Sequence, residues 1–428
     1  MDILSLNFIL YTGTFVYVFR KEKSITLYNF VLLLYSIVAL LGTITYHNGI
    51  YEDTFGYYNL SRLTVLPYLL NYLAIMLIAS PLRGYTLKIE DYSLPSEKVL
   101  KSFSSFIILL WIIRAIFFLY LVATKGMYNE FSDAYEDMST GGARFVFGSS
   151  LMNYFFFNIL VPICNIGYPL VLALLFYFSS KYRDSFKYIR RALILLAINA
   201  FPNIVTASRG GLFFCSLNFL FFYFLFKSNL SSVIRKYIKI SFIIAGSIIA
   251  FYSILITFSR VGNDQESGIN GIMRYFGEAF PNLGFRVWGE NINHPYGVRF
   301  FPSLAGLFGI NLTYSAGDRY GLFDFWELIV GIPMLNFKTL FGDLYVEFGI
   351  IGTALMVFII SYVGKRYRYS TFPFVGLVLV YNIYYIACYG LFNFGFRESE
   401  FKNLILSIIF LFIVFRKHTL RRNRIAHQ

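Results

Sequence analysis

Apolar residues are gathered along this chain into eleven runs separated by polar connections: Ile3 to Phe19, Ile25 to Tyr46, Leu63 to Ser80, Phe103 to Ala123, Leu151 to Phe178, Ile189 to Val205, Leu212 to Phe226, Ile238 to Phe258, Leu344 to Val363, Phe372 to Leu391 and Leu404 to Phe415. A helix crossing a bilayer core needs about 20 predominantly apolar residues, so the pattern predicts an all-α polytopic membrane protein with about 11 transmembrane helices. The fifth run contains Pro162 and Pro169. It reads either as one kinked helix or as a re-entrant piece followed by a helix, which moves the total by one. Only one connection is long, the polar interruption from Ser259 to Gly342. The expected organisation is therefore residues 1–258 with helices 1–8, residues 259–342 as a large outer loop holding short helices, and residues 343–428 with helices 9–11 and a basic tail.

Composition agrees with a membrane protein. Hydrophobic residues make up 57% of the chain and charged residues 14%, which excludes a soluble globular domain as the leading class. The formal net charge of +14 follows a pattern. Of the 37 Lys and Arg residues, 24 fall on every second connection and on the C-terminal tail, from Arg20, Lys21 and Lys23 to Arg421, Arg422 and Arg424. By the positive-inside rule this sets the N-terminus outside and the C-terminus in the cytoplasm. No small-residue cleavage site follows the first run, which reads as a retained span. Topology thus explains the basic excess, and no nucleic-acid partner is expected. Cys164, Cys215 and Cys388 all lie in apolar runs and read as buried free thiols. The chain has no phosphate-binding P-loop and no Asp-rich metal-nucleotide motif, so energy from cytoplasmic nucleotide is not indicated.

Three stretches carry residues suited to chemistry. Thr206-Ala207-Ser208-Arg209-Gly210-Gly211 is a short turn between two spans on the outer side. An arginine at membrane depth is costly and usually has a partner or a task, and glycines at a helix start let backbone N–H groups approach an anion. The same residues read equally as an arginine snorkelling to headgroups at a tight turn. The second stretch runs from Phe341-Gly342-Asp343 through Glu347-Phe348-Gly349 to Gly352. With a helix beginning near Asp343, Asp343 and Glu347 share a face, and Gly349 and Gly352 permit close approach of a neighbouring helix. The two carboxylates could hold a sugar hydroxyl, with one as general base; alternatively Asp343 caps the helix and Glu347 pairs with a loop arginine. The third stretch is the loop itself, where Arg260, Arg274, Arg286, Arg299 and Arg319 alternate with aromatic residues, Asn and Glu. That mixture suits stacking on sugar rings and hydrogen bonding to their hydroxyls. His294, the one histidine in this region, is a further candidate base.

Many spans, Ser208-Arg209-Gly210-Gly211 at an outer turn, a large late arginine-rich loop and Glu347-Phe348-Gly349-Ile350-Ile351-Gly352 in the following span resemble the Wzy-type polymerases of O-antigen and capsular oligosaccharide repeat units. The resemblance implies a GT-C-like membrane glycosyltransferase in the bacterial inner membrane, its site facing the periplasm or cell exterior. Such an enzyme transfers a growing glycan from undecaprenyl pyrophosphate to the non-reducing end of another lipid-linked repeat unit, without metal. The partners implied are lipid-linked oligosaccharides, membrane lipid and a chain-length regulator. Carried onto this chain, Arg209, Arg260, Arg286, Arg299 and Arg319, with Gly210 and Gly211, are expected to meet pyrophosphate and glycan. Glu347, Asp343 and His294 compete as the base of an inverting displacement. O-antigen ligases are similar but place a His-Asn pair ahead of the Glu-x-Gly element, where this chain has Asn336-Phe337-Lys338-Thr339. A ligase-like transferase and a lipid-linked oligosaccharide flippase remain the alternatives.

Overall fold

The structure, a computed structural model, describes residues 2–49, 63–87, 95–125, 150–182, 186–205, 208–261, 265–309, 319–334, 337–370, 372 and 374–425. Among them every regular element is helical. In chain order the helices are α1 (Ile3–Glu22), α2 (Leu27–His47), α3 (Val65–Ala79), α4 (Glu97–Lys125), α5 (Ser150–Tyr154 and Val161–Lys181, joined by a π segment, Phe155–Leu160), α6 (Phe186–Val205), α7 (Arg209–Phe226) and α8 (Ser232–Val261). Then come α9 (Gln265–Gly277), α10 (Ala279–Asn282, continued by a π turn, Leu283–Val287), α11 (Pro302–Leu307), α12 (Arg319–Val330), α13 (Thr339–Tyr367), α14 (Val375–Tyr389) and α15 (Glu398–Ile425). Every apolar run of the sequence lies on one of these helices. Eight of the described helices are long and apolar enough to cross a membrane, so the chain is a multi-pass membrane protein. The helices bearing Leu212–Phe226 and Phe372–Leu391 are shorter, and α15 carries too many charges for that group.

The proline-containing fifth run is one continuous element. Pro162 sits in the first turn of the segment after the π turn, where its missing N–H costs nothing, and Pro169 lies within the helix. Local signals set other boundaries as well. Asp2 caps α1 through Ser5 N at 2.8 Å, and Lys23 ends that helix in the left-handed region. Thr26 and Asn29 form a reciprocal capping box at the start of α2.

The chain forms two compact units that are not contiguous in sequence. The first holds residues 1–84, 261–366 and 382–401. Its core is Tyr11 stacked on Tyr35 at 5.2 Å, with Phe280 against both. Asn71 ties Tyr11 to α13, donating to the Tyr11 hydroxyl and accepting from Phe341 N. Hydrocarbon gives apolar helices no drive to associate, so close packing at small residues and buried polar bonds carry such contacts. Gly42 of α2 and Gly277 of α9 meet backbone to backbone, and a methyl group on either would lie 2.9 Å or less from the other strand of chain. The residues following α8 are thus packed on α2 and α3. Tyr68 fastens them further by donating to Phe280 O at 3.2 Å.

The second unit holds residues 85–260, 367–381 and 402–428. Its centre is α5, whose Phe176 packs edge-on to Phe219 of α7, while Trp111 of α4 leans on Tyr168. Gly167 lets α4 close in, since a Cβ there would meet Ile107 at 2.8 Å.

Candidate functional site

The site in the first unit begins with how α13 starts. The helix opens at Thr339, one turn earlier than the sequence pattern predicts. Its first N–H groups, which have no partner within a helix, are taken up by the chain around residues 390–393. Lys338 N and Thr339 N donate to Phe392 O at 2.9 and 2.8 Å, and Leu340 N to Gly390 O at 2.8 Å. Phe341 N reaches Asn71, and Gly342 N reaches Thr339 Oγ1. This buried terminus therefore offers no donors to an anion. Asp343 is not a cap: it lies in the second turn, 1% exposed, with Glu347 one turn on and fully buried.

Both carboxylates close on Arg299. Its Nε donates to Glu347 Oε2 at 2.7 Å and its Nη2 to Asp343 Oδ1 at 2.7 Å, a fork spanning two acids one turn apart. Backbone N–H groups add further bonds to both carboxylates. Gly297 N and Arg299 N donate to Glu347 Oε1 at 2.8 and 3.2 Å, and Phe394 N donates to Asp343 Oδ2 at 3.1 Å. Arg397 stands 3.7 Å from that same oxygen with its guanidinium over Phe300. Burial alone would lower the pKa of Arg299, but the charges of Asp343 and Glu347 outweigh it and hold the group above its ordinary value. Of the two readings of Glu347, the pairing with a loop arginine is the one found. The clasp pins residues 297–299 to α13 and commits both carboxylates to Arg299.

Gly349 interrupts α13 with φ 66° and ψ −176°, a conformation that suits glycine because it has no Cβ. The glycine faces His294, not a neighbouring helix: a Cβ would lie 3.3 Å from His294 Nε2. Gly352 lies against Phe348 of its own helix. The break frees carbonyls of the preceding turn, and the loop takes them. Tyr296 N donates to Glu347 O at 2.8 Å, and His294 Nδ1 lies 3.0 Å from Val346 O. A carbonyl only accepts, so Nδ1 carries a proton, and Nε2 is the nitrogen whose lone pair a neutral imidazole would offer. His294 is half-buried and edge-on to Tyr345 at 5.7 Å and Tyr296 at 6.1 Å, while Trp288 lies 5.3 Å from Tyr345. Among the three candidate bases it alone combines a bonded ring nitrogen with one that has no hydrogen-bond partner among the described residues.

A second ionic group adjoins the clasp. Glu278 pairs with Arg274 at 3.4 Å and feels Arg286; burial, the dominant influence, nevertheless keeps its pKa above the ordinary value. Lys338 is 2% exposed and donates to Met334 O at 3.1 Å. Burial pushes its pKa down to about 7, with Arg299 and Arg397 adding to the fall and Asp343 and Glu278 opposing it. Lys338 and Arg397 carry no role in the sequence analysis. The signal for Lys338 was a lone lysine directly before an apolar run, where a free ammonium is costly.

The candidates Arg209, Arg260 and Arg319 are described by their backbone alone. In the second unit Ser208 is the N-cap of α7, its hydroxyl accepting from Gly211 N at 3.2 Å, so Arg209 and Gly210 occupy the first turn. Gly211 is explained by packing against Asn203 Oδ1, which a Cβ would meet at 1.9 Å. Thr206 and Ala207 lie outside the described residues, as do the side chains of Arg209, Arg260 and Arg319. The backbone puts Arg260 in the last turn of α8 and Arg319 at the first residue of α12. Comparison with protein-family models, with curated proteins and with solved structures finds no match to this chain.

Proposed function

We propose that the chain is a polysaccharide repeat-unit polymerase, a metal-independent membrane glycosyltransferase of GT-C-like type. Eleven spans, with the N-terminus outside and the C-terminus in the cytoplasm, would put residues 259–342 on the periplasmic or exterior side of the bacterial inner membrane. The observation that carries this reading is His294, bonded through Nδ1 at a break in a membrane-spanning helix and edge-on to Tyr296 and Tyr345, the latter packed on Trp288. Aromatic faces suit sugar rings, and a positioned imidazole suits a hydroxyl that must lose its proton.

The reaction is a displacement at the anomeric carbon of a glycan on undecaprenyl pyrophosphate. The acceptor hydroxyl oxygen of another lipid-linked repeat unit forms the new C–O bond as its proton passes to His294 Nε2. The bond from the anomeric carbon to the pyrophosphate oxygen breaks, and the electron pair leaves with the pyrophosphate. Fixed cations stabilise that leaving charge without metal. Arg397, 43% exposed at its side chain, suits this task better than Arg299, which is committed to two carboxylates, and Arg286 is a further candidate. Arg209, Arg260 and Arg319 remain candidates for it. Asp343 and Glu347 act as positioning residues that hold the His294 loop to α13.

The test is a gel of lipid-linked and exported glycan from the native host with the gene deleted, then restored as wild type, His294→Gln or Arg209→Lys. The expected result is single repeat units on the final acceptor in the deletion, and a ladder returned by wild type but not by His294→Gln. Long chains trapped on the carrier lipid would indicate a ligase. Repeat units trapped on the cytoplasmic side would indicate a flippase, and an unchanged ladder removes the glycan reading.

A further inference from the structure

In the second unit, a cleft of about 730 Å³ opens between the first turns of α4 and α6. Lys98, Lys101, Ser102 and Ser105 line it from one face of α4, and Lys187 and Arg191 from α6. The cleft holds one carboxylate, Glu97, which is already engaged by Lys101, by Lys181 at 3.2 Å and by the Tyr182 hydroxyl. Among the described residues Lys98, Lys187 and Arg191 are thereby left without a carboxylate partner in the cavity, beside two serine hydroxyls. The first turns of two helices also direct backbone N–H dipoles to the same end.

The faces that line the cleft continue as hydrocarbon. Along α4, Ser102 and Ser105 are followed at helical spacing by Phe106 and Leu109, 56% and 51% exposed. Along α6, Lys187 and Arg191 are followed by Ile194, 54% exposed. A ligand with phosphate at one end and acyl chains at the other matches both parts. A free anion would leave the apolar stripes unused.

We infer that this cleft is a binding site for an anionic phospholipid, with its headgroup phosphate held by Lys98, Lys187, Arg191 and the serine hydroxyls and its acyl chains lying on Phe106, Leu109 and Ile194. Basic pockets between membrane helices bind such headgroups by the same charge pairing. The assignment depends on the chain crossing a membrane and not on the polymerase reading. Its test therefore uses no glycan.

The full chain is purified into nanodiscs containing equal phosphatidylglycerol and phosphatidylcholine, and retained lipid is counted by native mass spectrometry after transfer to detergent. Wild type is expected to retain phosphatidylglycerol at least tenfold over phosphatidylcholine. The Lys98→Gln/Lys187→Gln/Arg191→Gln variant is expected to lose that preference. Removing the same charge from exposed positions on α8, as Arg235→Gln/Lys236→Gln/Lys239→Gln, is expected to preserve it. Ser105→Trp, which fills the cleft without altering charge, is expected to displace the lipid and covers the case in which the triple variant does not fold. Equal retention of the two lipids by wild type overturns the proposal, as does an equal loss in the α8 variant. If inorganic phosphate raises the unfolding temperature in neutral detergent as much as phosphatidylglycerol does, the cleft is a free-anion site and the lipid assignment fails.

Discussion

Arg299 and Arg114, one in each compact unit, are held by opposite means. Arg299 of the first unit meets two buried carboxylates through both edges of its fork. Arg114, on a membrane-spanning helix of the second unit, donates to the neutral Asn165 at 3.3 Å and lies 4.5 Å above the Trp111 ring, with no carboxylate partner among the described residues. Removing one member of a compensated buried cluster strands the others, so Arg299 behaves as structure. A cation supported only by an amide dipole and an indole face leaves no charge behind when it is removed. The place of an arginine beside hydrocarbon is thus a poor guide to its role until its partners are known.

The sharpest way to break this contrast is Glu347→Gln. It leaves Arg299 paired with Asp343 alone and exchanges a charged acceptor for a neutral amide, and unfolding in detergent is expected to register a loss of about 2 to 3 kcal/mol. Arg299→Lys should fall in the same direction, because one ammonium cannot span two carboxylates one turn apart. A wild-type midpoint for both variants would remove the clasp from the account.

Lys338 supplies a pH test of the same region. Its native pKa of about 7 lies below the ordinary 10.5 for lysine. Between those values the unfolded chain holds a proton that the native chain has lost, so this group makes stability rise with pH over that window. Below about pH 7 both states are charged and the penalty is constant. The expected result is a rise in unfolding midpoint from pH 7 towards pH 10 that is absent in Lys338→Met; identical slopes would contradict the burial of a strained ammonium.

A smaller effect is expected at the break in α13. Gly349→Ala forces a side chain into positive φ and towards His294, costing about 1 to 2 kcal/mol. It should also reduce chain growth beyond that loss, because straightening the helix withdraws Val346 O from His294. The smallest effect is expected at Arg114→Gln, within about 1 kcal/mol of wild type in the same unfolding assay. A loss as large as that of Glu347→Gln would show that Arg114 has a partner of equal strength.

Much of the helical layout was legible because its signals are long. Twenty apolar residues, a proline in a first turn and a capping pair are local facts, and they agree with α1, α2 and α5. The site was legible in its residue types and not in their pairing. Arg299, Asp343, Glu347 and His294 all stood out from sequence, but which loop arginine would reach the carboxylates depends on contacts between residues nearly fifty positions apart. The start of α13 was misplaced because Asp343 imitates a cap, whereas Phe392, Gly390 and Asn71 supply the bonds that allow the helix to begin at Thr339. Gly349 was read as a packing glycine, since nothing in a sequence distinguishes a glycine needed for space from one needed for positive φ. Lys338 was visible as a charge beside hydrocarbon, but its burial follows from tertiary packing alone.

The most direct test of the central claim is chain growth by the purified protein in nanodiscs supplied with lipid-linked repeat units extracted from the native host. The account predicts a ladder with wild type and single units with His294→Gln, whose unfolding midpoint stays at the wild-type value. No ladder from folded wild type, or an undiminished ladder from His294→Gln, would contradict it.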